Sequence, residues 1–427
     1  MASSAHPWRS LARNREFTLL CVGQTISELG TRMSAFVYPL IGYALTGSTA
    51  WAAGVETAYL LGLVGMLLPA GVLADRVDRL RIMRVSSALG AVLYASLVVT
   101  GVLGALTAGH LLAVAAITGA IAGLFSPAEM SAIRTVVADE HMAAAMSQQQ
   151  GRQHVAGLLG APLGGLLYGV TRWLPFLADM VSYVVAWACL GRIRADLSAP
   201  RHDGASERAS AVRHIREGVG FAWSHPYLRV LLIWSPLVNL TMNGLFLVAV
   251  LRLVQDGTAP AAIALVEVIG GVCGIVGAAF APWLIDRLPT GRLTVLIAWS
   301  MLPLMVPMAF WGHPLVVAAA LGAILLLNPA GNAGVSSYRM AITPPELIGR
   351  VQAAMQVASM ATLPLAPVLA GALLGGLGGR DAILAIVVLT ALIALIPTLA
   401  RSVRAVPRPA QWEAHPGANS VTVTPAA

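Results

Sequence analysis

The chain has 427 residues, of which 57% are apolar and only 11% are charged. Soluble domains contain roughly 45–50% apolar and about 25% charged residues, so this composition excludes an ordinary soluble protein. The net charge is +8, and all 27 basic residues are arginine. The lack of lysine excludes a lysine-dependent P-loop ATPase and a Schiff-base lysine enzyme.

Apolar runs long enough to cross a bilayer recur along the whole chain. A transmembrane helix needs about 20 mostly apolar residues. The sequence therefore predicts an all-α integral membrane protein with twelve spans. They cover residues 17–45, 53–74, 84–107, 110–131, 150–171, 173–192, 227–250, 260–285, 293–311, 314–336, 351–375 and 381–400.

The arginines are distributed unevenly over the two sides that these spans define. With the amino end inside, 23 arginines are cytoplasmic, Arg32 falls within span 1, and only Arg172, Arg252 and Arg380 lie outside. The positive-inside rule then predicts a multi-pass protein of the plasma (inner) membrane with both termini in the cytoplasm. The basic character thus concerns orientation, and no nucleic acid partner is expected.

The spans form two groups of six around a longer polar segment. We expect a cytoplasmic segment at 1–16, a six-helix bundle at 17–192, a linker with an amphipathic surface helix at 193–226, a second bundle at 227–400 and a disordered tail at 401–427. The three cysteines, Cys21, Cys189 and Cys273, lie apart in apolar runs, so neither a disulfide nor a metal site is expected.

The two halves of the chain repeat each other. Asp75 and Arg76 in the segment Gly71–Arg81 are matched by Asp286 and Arg287, each 211 positions later. A second, shorter repeat relates Ser126-Pro127-Ala128 to Asn328-Pro329-Ala330. Such repeats are typical of transporters whose substrate site lies between the halves.

The segment Gly71–Arg81 resembles the signature loop Gly-x-x-x-Asp-Arg-x-x-Arg of the major facilitator superfamily. The resemblance implies two pseudo-symmetric six-helix bundles, a monomer, and transport by alternating access without covalent chemistry. It also implies a conformational latch formed by Gly71, Asp75, Arg76, Arg79, Asp286 and Arg287, in which Asp75 lies at the amino end of a helix near Gly349. The alternative is that these arginines only fix topology.

Other short motifs resemble the drug and proton antiporter branch that includes macrolide-efflux and enterobactin-exporter relatives. They are Gly23-Gln24 to Gly30, Pro127-Ala128, Glu217-Gly218, His225-Pro226 and Gly349-Arg350-Val351. The branch's Gly-Pro-x-x-Gly-Gly motif has a near match in Gly157, Gly160, Pro162, Gly164 and Gly165, with the proline one place late. This match predicts export, whereas the alternative is that the small residues serve packing alone.

Charged and polar residues at membrane depth are candidates for function because they are costly to bury. Glu28 and Arg32 share one face of span 1, and their repeat equivalents are Asn239 and Asn243. The resemblance places spans 1, 4, 7 and 10 around the cavity, so Glu28 is the first candidate to carry the coupled proton. Further candidates are Glu129, Asn328 and Asn332. The alternative for Glu28 and Arg32 is a mutually neutralised structural pair.

Glu56 and Glu267 each lie 19 residues before Asp75 or Asp286, so they are repeat equivalents. They predict a carboxylate pair near the outer mouth, unless Glu56 is simply hydrated. Asp179 in span 6 is expected to bond one helix to another.

These observations predict a secondary transporter that uses the proton gradient, with no other cofactor, to export hydrophobic or amphipathic small molecules. The alternative is an importer or an uncoupled facilitator of a small metabolite. A membrane-embedded enzyme or a lipid scramblase is the more distant rival, and the sequence shows no compact catalytic constellation for the enzyme.

Overall fold

A computed structural model of the chain describes residue 11, residues 14–195, residue 197 and residues 204–412. Within these ranges the side chains at 68, 71, 72, 74–76, 139, 143 and 204–212 are excepted. The described residues fall into two compact units. One comprises residues up to 206 together with 257–268, and the other comprises 207–256 together with residues from 269 onward.

Six long helices form most of the first unit. They are α1 (Arg15–Thr46), α2 (Thr49–Arg76), α3 (Arg79–Val102), α4 (Ala108–Val136), α5 (Met142–Val170) and α6 (Leu174–Gly191), with a 3₁₀ turn at Asp139–His141 before α5. Polar side chains define several starts, because Asn14, Asp78 and Thr107 each accept a hydrogen bond from a backbone N–H in the first turn.

The remaining helices begin with α7 (Gly204–Ser224), which precedes the second group of long helices. Those are α8 (Pro226–Gln255), α9 (Pro260–Arg287), α10 (Thr290–Phe310), α11 (Pro314–Ala341), α12 (Ile348–Thr362) and α13 (Leu365–Leu399). The chain then forms the short α14 (Arg401–Arg404) and a 3₁₀ turn at Pro409–Gln411. The boundary between the units cuts α9, whose first turns belong to the first unit.

The helix bounds repeat along with the sequence. Helices α8, α9 and α10 begin 211 positions after α1, α2 and α3, and α9 also ends 211 positions after α2. The duplication inferred from two short motifs therefore extends to whole helices.

The predicted apolar runs lie on these helices. Among the described residues, nine helical stretches are long and apolar enough to span a membrane, and the last, Ile348–Leu399, contains both α12 and α13. Helices α1 and α5 are not among the nine, because polar side chains interrupt their apolar character. The fold is thus all-helical over the described residues.

Two predicted segments differ from the structure. The run at 351–375 is interrupted at Leu363–Pro364, since proline has no N–H to continue a helix. Helix α13 contains both the end of the run at 351–375 and nearly all of the run at 381–400. Its two parts meet at Gly378, whose φ of 80° suits glycine alone.

The prediction of a disordered tail from residue 401 is wrong for residues 401–412. The carbonyl oxygens of Val406 and Pro407 accept hydrogen bonds from the backbone N–H groups of Gly291 and Thr290 at the start of α10. Trp412 packs on Tyr338 with ring centroids 5.5 Å apart. Free helix-start N–H groups and an aromatic side chain hold this segment. Residues 413–427 lie outside the described part of the chain.

Close helix packing in the first unit relies on glycine. A Cβ at Gly62 would overlap the backbone of Ala116, and one at Gly119 would overlap the backbone of Tyr59. Helices α2 and α4 are therefore in direct backbone contact, as is common between membrane helices. Beside them, the buried Tyr38 hydroxyl donates to Tyr94 and lies within hydrogen-bond distance of Thr118.

Candidate functional site

The first unit contains a polar cavity of about 400 Å³. Helix α1 provides one wall and helices α4 and α5 provide others, with contributions from α2 and α6. The polar lining residues are Gln24, Ser27, Glu28, Thr31, Arg32, Tyr59, Ser126, Glu129, Gln149, Gln153 and Tyr183. A volume of this size accommodates a small organic molecule.

Glu28 and Arg32 form an ion pair on the wall of this cavity. The Arg32 Nε donates to Glu28 Oε1 over 3.0 Å. The side chains are 27% exposed for Glu28 and 51% for Arg32, so both are open to the cavity. The sequence predicted that the two residues share one helix face, and in the structure they form an ion pair.

A second ion pair joins α4 to α5. Arg152 donates from Nη2 to Glu129 Oε1 over 2.8 Å, and both side chains are buried. The Nε of Arg152 and the Nε2 of Gln24 have no protein acceptor among the described residues. Both atoms are buried, so these donors lie within the packed wall around the cavity.

Arg152 is the main residue that the sequence prediction missed. The predicted span started at residue 150, but α5 starts at Met142 and continues through the polar stretch Gln148–Gln153. Hydropathy treats such a stretch as a loop, although glutamine and arginine favour helices. An arginine nearly three turns inside a long helix was the signal available.

The antiporter-like motif packs α5 against α1. A Cβ at Gly160 would overlap the Cβ of Arg32, and Gly164 lies against the backbone of Met33. Gly165 lies against the backbone of Pro260 in the same unit, Pro162 lies within the continuous α5, and Gly157 has open space around it. The motif thus sets the position of Arg32 in the cavity wall.

The other acidic residues of the first unit occupy different surroundings. Glu56 and Glu267 are half-buried, both belong to this unit, and Glu267 lies within electrostatic range of Glu56 and Arg32. Asp179 is completely buried on α6 and accepts a hydrogen bond from Ser182. Its carboxylate also lies against Gly30 of α1, which fits a role in joining α6 to α1.

The second unit has a smaller pocket of about 80 Å³ with a mainly apolar lining. Asn328 and Asn332 line it, and their side chains are hydrogen-bonded to each other. Arg339, another lining residue, donates to Gln352 over 2.6 Å. Asn239 and Asn243 do not line this pocket, and the Asn243 amide donates to the Asn239 carbonyl over 2.8 Å.

The residues of the predicted latch are described only in part. The side chains of Gly71, Asp75 and Arg76 lie outside the described part of the structure. Arg79 donates to Thr135 over 3.3 Å, and the Arg287 guanidinium lies 4.5 Å above the ring centre of Trp283. Asp286 is exposed and has no ion-pair partner among the described residues.

Comparison with known proteins identifies the class to which this fold and cavity belong. Residues 20–339 match the family model of the Major Facilitator Superfamily, so the chain belongs to this superfamily. An uncharacterized MFS-type transporter of Bacillus subtilis (strain 168), YkuC, is 24% identical over 262 residues. That match spans 58% of this chain and 59% of YkuC, so the chain covers about three fifths of this curated relative.

Solved structures show the same fold. A bacterial homologue of the iron transporter ferroportin, inward-facing, has a TM-score of 0.71 at 16% identity, covering 91% of this chain and 98% of that one. A bacterial homologue of the human lysosomal transporter Spinster has a TM-score of 0.67 at 16% identity, covering 94% and 98%. A D-xylose-proton symporter has a TM-score of 0.62 at 15% identity, covering 90% and 97%.

The predicted all-α membrane fold of the major facilitator type is therefore confirmed. The protein is a multi-pass membrane protein of that superfamily.

Proposed function

We propose that this transporter couples proton entry to the export of amphipathic or hydrophobic small molecules, such as a drug, a natural product or a siderophore. The observation that carries the proposal is the polar cavity of the first unit, which has two carboxylates, Glu28 and Glu129, each paired with an arginine. Such a site can exchange a proton for a ligand without any covalent step.

The two ion pairs suit different tasks. The Glu28 pair is open to the cavity, so protons and water reach it, whereas the Glu129 pair is buried between two helices. Protonation of Glu28 removes its negative charge, so a substrate group that binds to the ionised carboxylate is released. We therefore assign proton exchange to Glu28 and a fixed polar wall to Glu129 and Arg152.

Antiport follows if proton and substrate bind in competition. A substrate that needs the ionised Glu28 is released when Glu28 takes up a proton, and a ligand shifts the conformational equilibrium by its difference in affinity for the two states. The half-buried carboxylates Glu56 and Glu267, which lie within electrostatic range of each other, are proposed as a second station for protons.

An amphipathic substrate suits the cavity of the first unit, where the polar groups lie beside the apolar Leu63, Ile121 and Phe125. The pocket of the second unit is lined mainly by apolar residues such as Leu231, Val238 and Met301. Asn328 and Asn332 add one polar patch there, and Asn239 and Asn243 are retained as proposed cavity residues.

The remaining parts of the proposal rest on the sequence. The antiporter-like motif around Gly160 supports export, and the signature residues Asp75 and Arg76 are proposed to stabilise one transport state. The arginine distribution supports a plasma-membrane protein with both termini in the cytoplasm. We propose a monomer that needs no cofactor other than the proton gradient.

The alternative is an importer or an uncoupled facilitator of a small metabolite. The solved structures of similar fold include a D-xylose-proton symporter and a nucleoside transporter, so the fold is compatible with more than one kind of transport. The experiment must therefore report direction as well as binding.

An accumulation assay in an efflux-deficient bacterial host tests the proposal. Antibiotics, dyes and siderophores are measured in cells that express wild type, Glu28→Gln or the control Glu16→Gln, an acidic residue outside the cavity lining. Wild type and Glu16→Gln are expected to lower accumulation of at least one compound, and an uncoupler is expected to abolish the effect. Glu28→Gln is expected to lose it at equal expression. Increased accumulation with wild type would support the importer instead.

A further inference from the structure

A second, apolar groove lies on the first unit and is not used by the proposed transport cycle. It has a volume of about 430 Å³ and is bounded by α2, α3 and α4. Its lining includes Leu73 and Val77 at the end of α2, Val85 and Leu89 on α3, and Ile117 on α4. Of the groove's lining residues, only Ile121 also lines the polar cavity.

The groove opens on the outside of the unit. Val85 is 59% exposed, and Leu73, Leu89 and Ile117 are each slightly more than 40% exposed. In a membrane protein, exposed apolar side chains contact lipid tails, which are about as apolar as leucine. An acyl chain is therefore the ligand that matches this lining.

One end of the groove carries a positive charge that has no partner among the described side chains. Arg81, in the first turn of α3, lines the groove, is exposed, and makes no ion pair or hydrogen bond with the described residues. Its neighbours differ, because Arg79 donates to Thr135 and Arg84 donates to the Gly191 carbonyl. The nearby acidic residue Asp78 caps the helix by accepting from the Leu80 N–H.

We propose that this groove binds an anionic phospholipid, with an acyl chain along α3 and the phosphate paired with Arg81. Arg81 and Leu89 are eight residues apart, so the groove extends for roughly 12 Å along the helix. A guanidinium binds phosphate oxygens through two parallel hydrogen bonds, and the positive amino end of α3 adds to the attraction. Charge and shape together favour an anionic over a zwitterionic lipid.

Lipid retention by the full-length protein tests this site. Detergent-purified protein is mixed with equal amounts of phosphatidylglycerol and phosphatidylcholine with identical acyl chains, and bound lipid is counted by native mass spectrometry. Wild type is expected to retain phosphatidylglycerol over phosphatidylcholine by about three- to tenfold, the effect of one partly exposed charge-assisted contact.

Two arginine variants separate this contact from general attraction. Arg81→Gln is expected to abolish the preference. Arg134→Gln removes the same charge from an exposed arginine in the last turn of α4 that does not line the groove, and it is expected to leave the preference unchanged. Equal loss in both variants, or no preference in wild type, would overturn the proposal.

Larger side chains that fill the groove test whether it holds an acyl chain. Ala120→Phe and Ile117→Trp are each expected to lower retention of both lipids, because the larger side chain occupies the groove. Ile117 is partly exposed, so the Ile117→Trp substitution need not disturb helix packing. Unchanged retention in a folded Ile117→Trp protein would overturn the proposal. Complete displacement of lipid by excess glycerol phosphate would do so as well, because it would reveal a site for the headgroup alone.

Discussion

At the scale of single residues, the two ion pairs of the first unit differ in burial. The pair of Glu129 and Arg152 is buried, whereas the pair of Glu28 and Arg32 is partly exposed. Removing one partner of a buried pair leaves an uncompensated charge, which is strongly destabilising, whereas an exposed pair contributes little. Burial therefore predicts which substitution affects folding and which affects transport.

Glu129→Gln is expected to lower the free energy of unfolding by about 3–5 kcal/mol, because Arg152 is then buried without a counter-charge. Thermal unfolding of the detergent-purified protein measures this. Glu28→Gln is the control and is expected to change stability by less than about 1 kcal/mol. The double variant Glu129→Gln/Arg152→Gln should recover most of the loss. Equal losses for Glu28→Gln and Glu129→Gln would contradict this reading of the two pairs.

Two glycines of α5, Gly160 and Gly157, provide a test variant and a matched control for the packing of α5 against Arg32. Gly160→Ala is expected to destabilise the protein by about 1–3 kcal/mol, since the new methyl group overlaps the Cβ of Arg32. Gly157→Ala places its methyl group in open space and should be neutral or stabilising. Unfolding temperature and transport are measured for both variants. Identical behaviour would show that the motif does not fix the position of Arg32.

At the scale of helices, α7 is attached to the start of α12 by charge and by close packing. Arg350 pairs with Glu217 over 2.7 Å, and Glu217 also lies 3.4 Å from Arg213. Gly218 lies against the backbone carbonyl of Arg350. The segment between the two bundles predicted from sequence is thus anchored to the second unit.

Gly218→Ala is expected to weaken this attachment, because a Cβ there would overlap the Arg350 carbonyl oxygen. Gly220→Ala, on the same helix with open space around it, should stabilise the helix by up to about 1 kcal/mol. Hydrogen exchange of α7 amides compares the two variants. Faster exchange is expected for Gly218→Ala alone, and faster exchange in both would argue against the contact.

The elements also show how far sequence reasoning reaches. Long apolar runs and the 211-residue repeat predicted where the membrane helices lie, because bilayer thickness constrains helix length and composition. The polar start of α5 was missed, since Gln149 and Gln153 line a polar cavity and Arg152 pairs with the buried Glu129. Tail order was missed because it depends on Trp412 meeting Tyr338, a tertiary contact that no local pattern indicates.

Within the candidate site, local spacing was informative and long-range pairing was not. A spacing of four residues put Glu28 and Arg32 on one helix face, and the ion pair follows directly. The partner of Glu129 lies 23 residues away on another helix, so only the folded unit reveals it. Asn239 and Asn243, the repeat equivalents of Glu28 and Arg32, do not line the pocket that Asn328 and Asn332 line, and their role in a cavity stays a prediction.

At the scale of the whole molecule, the protein belongs to the Major Facilitator Superfamily, and the central proposal concerns transport, its coupling and its direction. Proton-coupled export through Glu28 requires that substrate and protons move in opposite directions in a fixed ratio. A variant that cannot exchange a proton at Glu28 should therefore no longer respond to a pH gradient.

Reconstituted vesicles with a fluorescent dye identified by the accumulation assay give the most direct test. A pH gradient is imposed across the membrane, and dye movement and internal pH are recorded together for wild type and Glu28→Gln. Wild type is expected to move dye against its concentration gradient toward the acidic side as protons flow the other way, and Glu28→Gln is expected to lose both responses. Dye movement with the protons, or concentrative movement that Glu28→Gln leaves intact, would contradict proton-coupled export through Glu28.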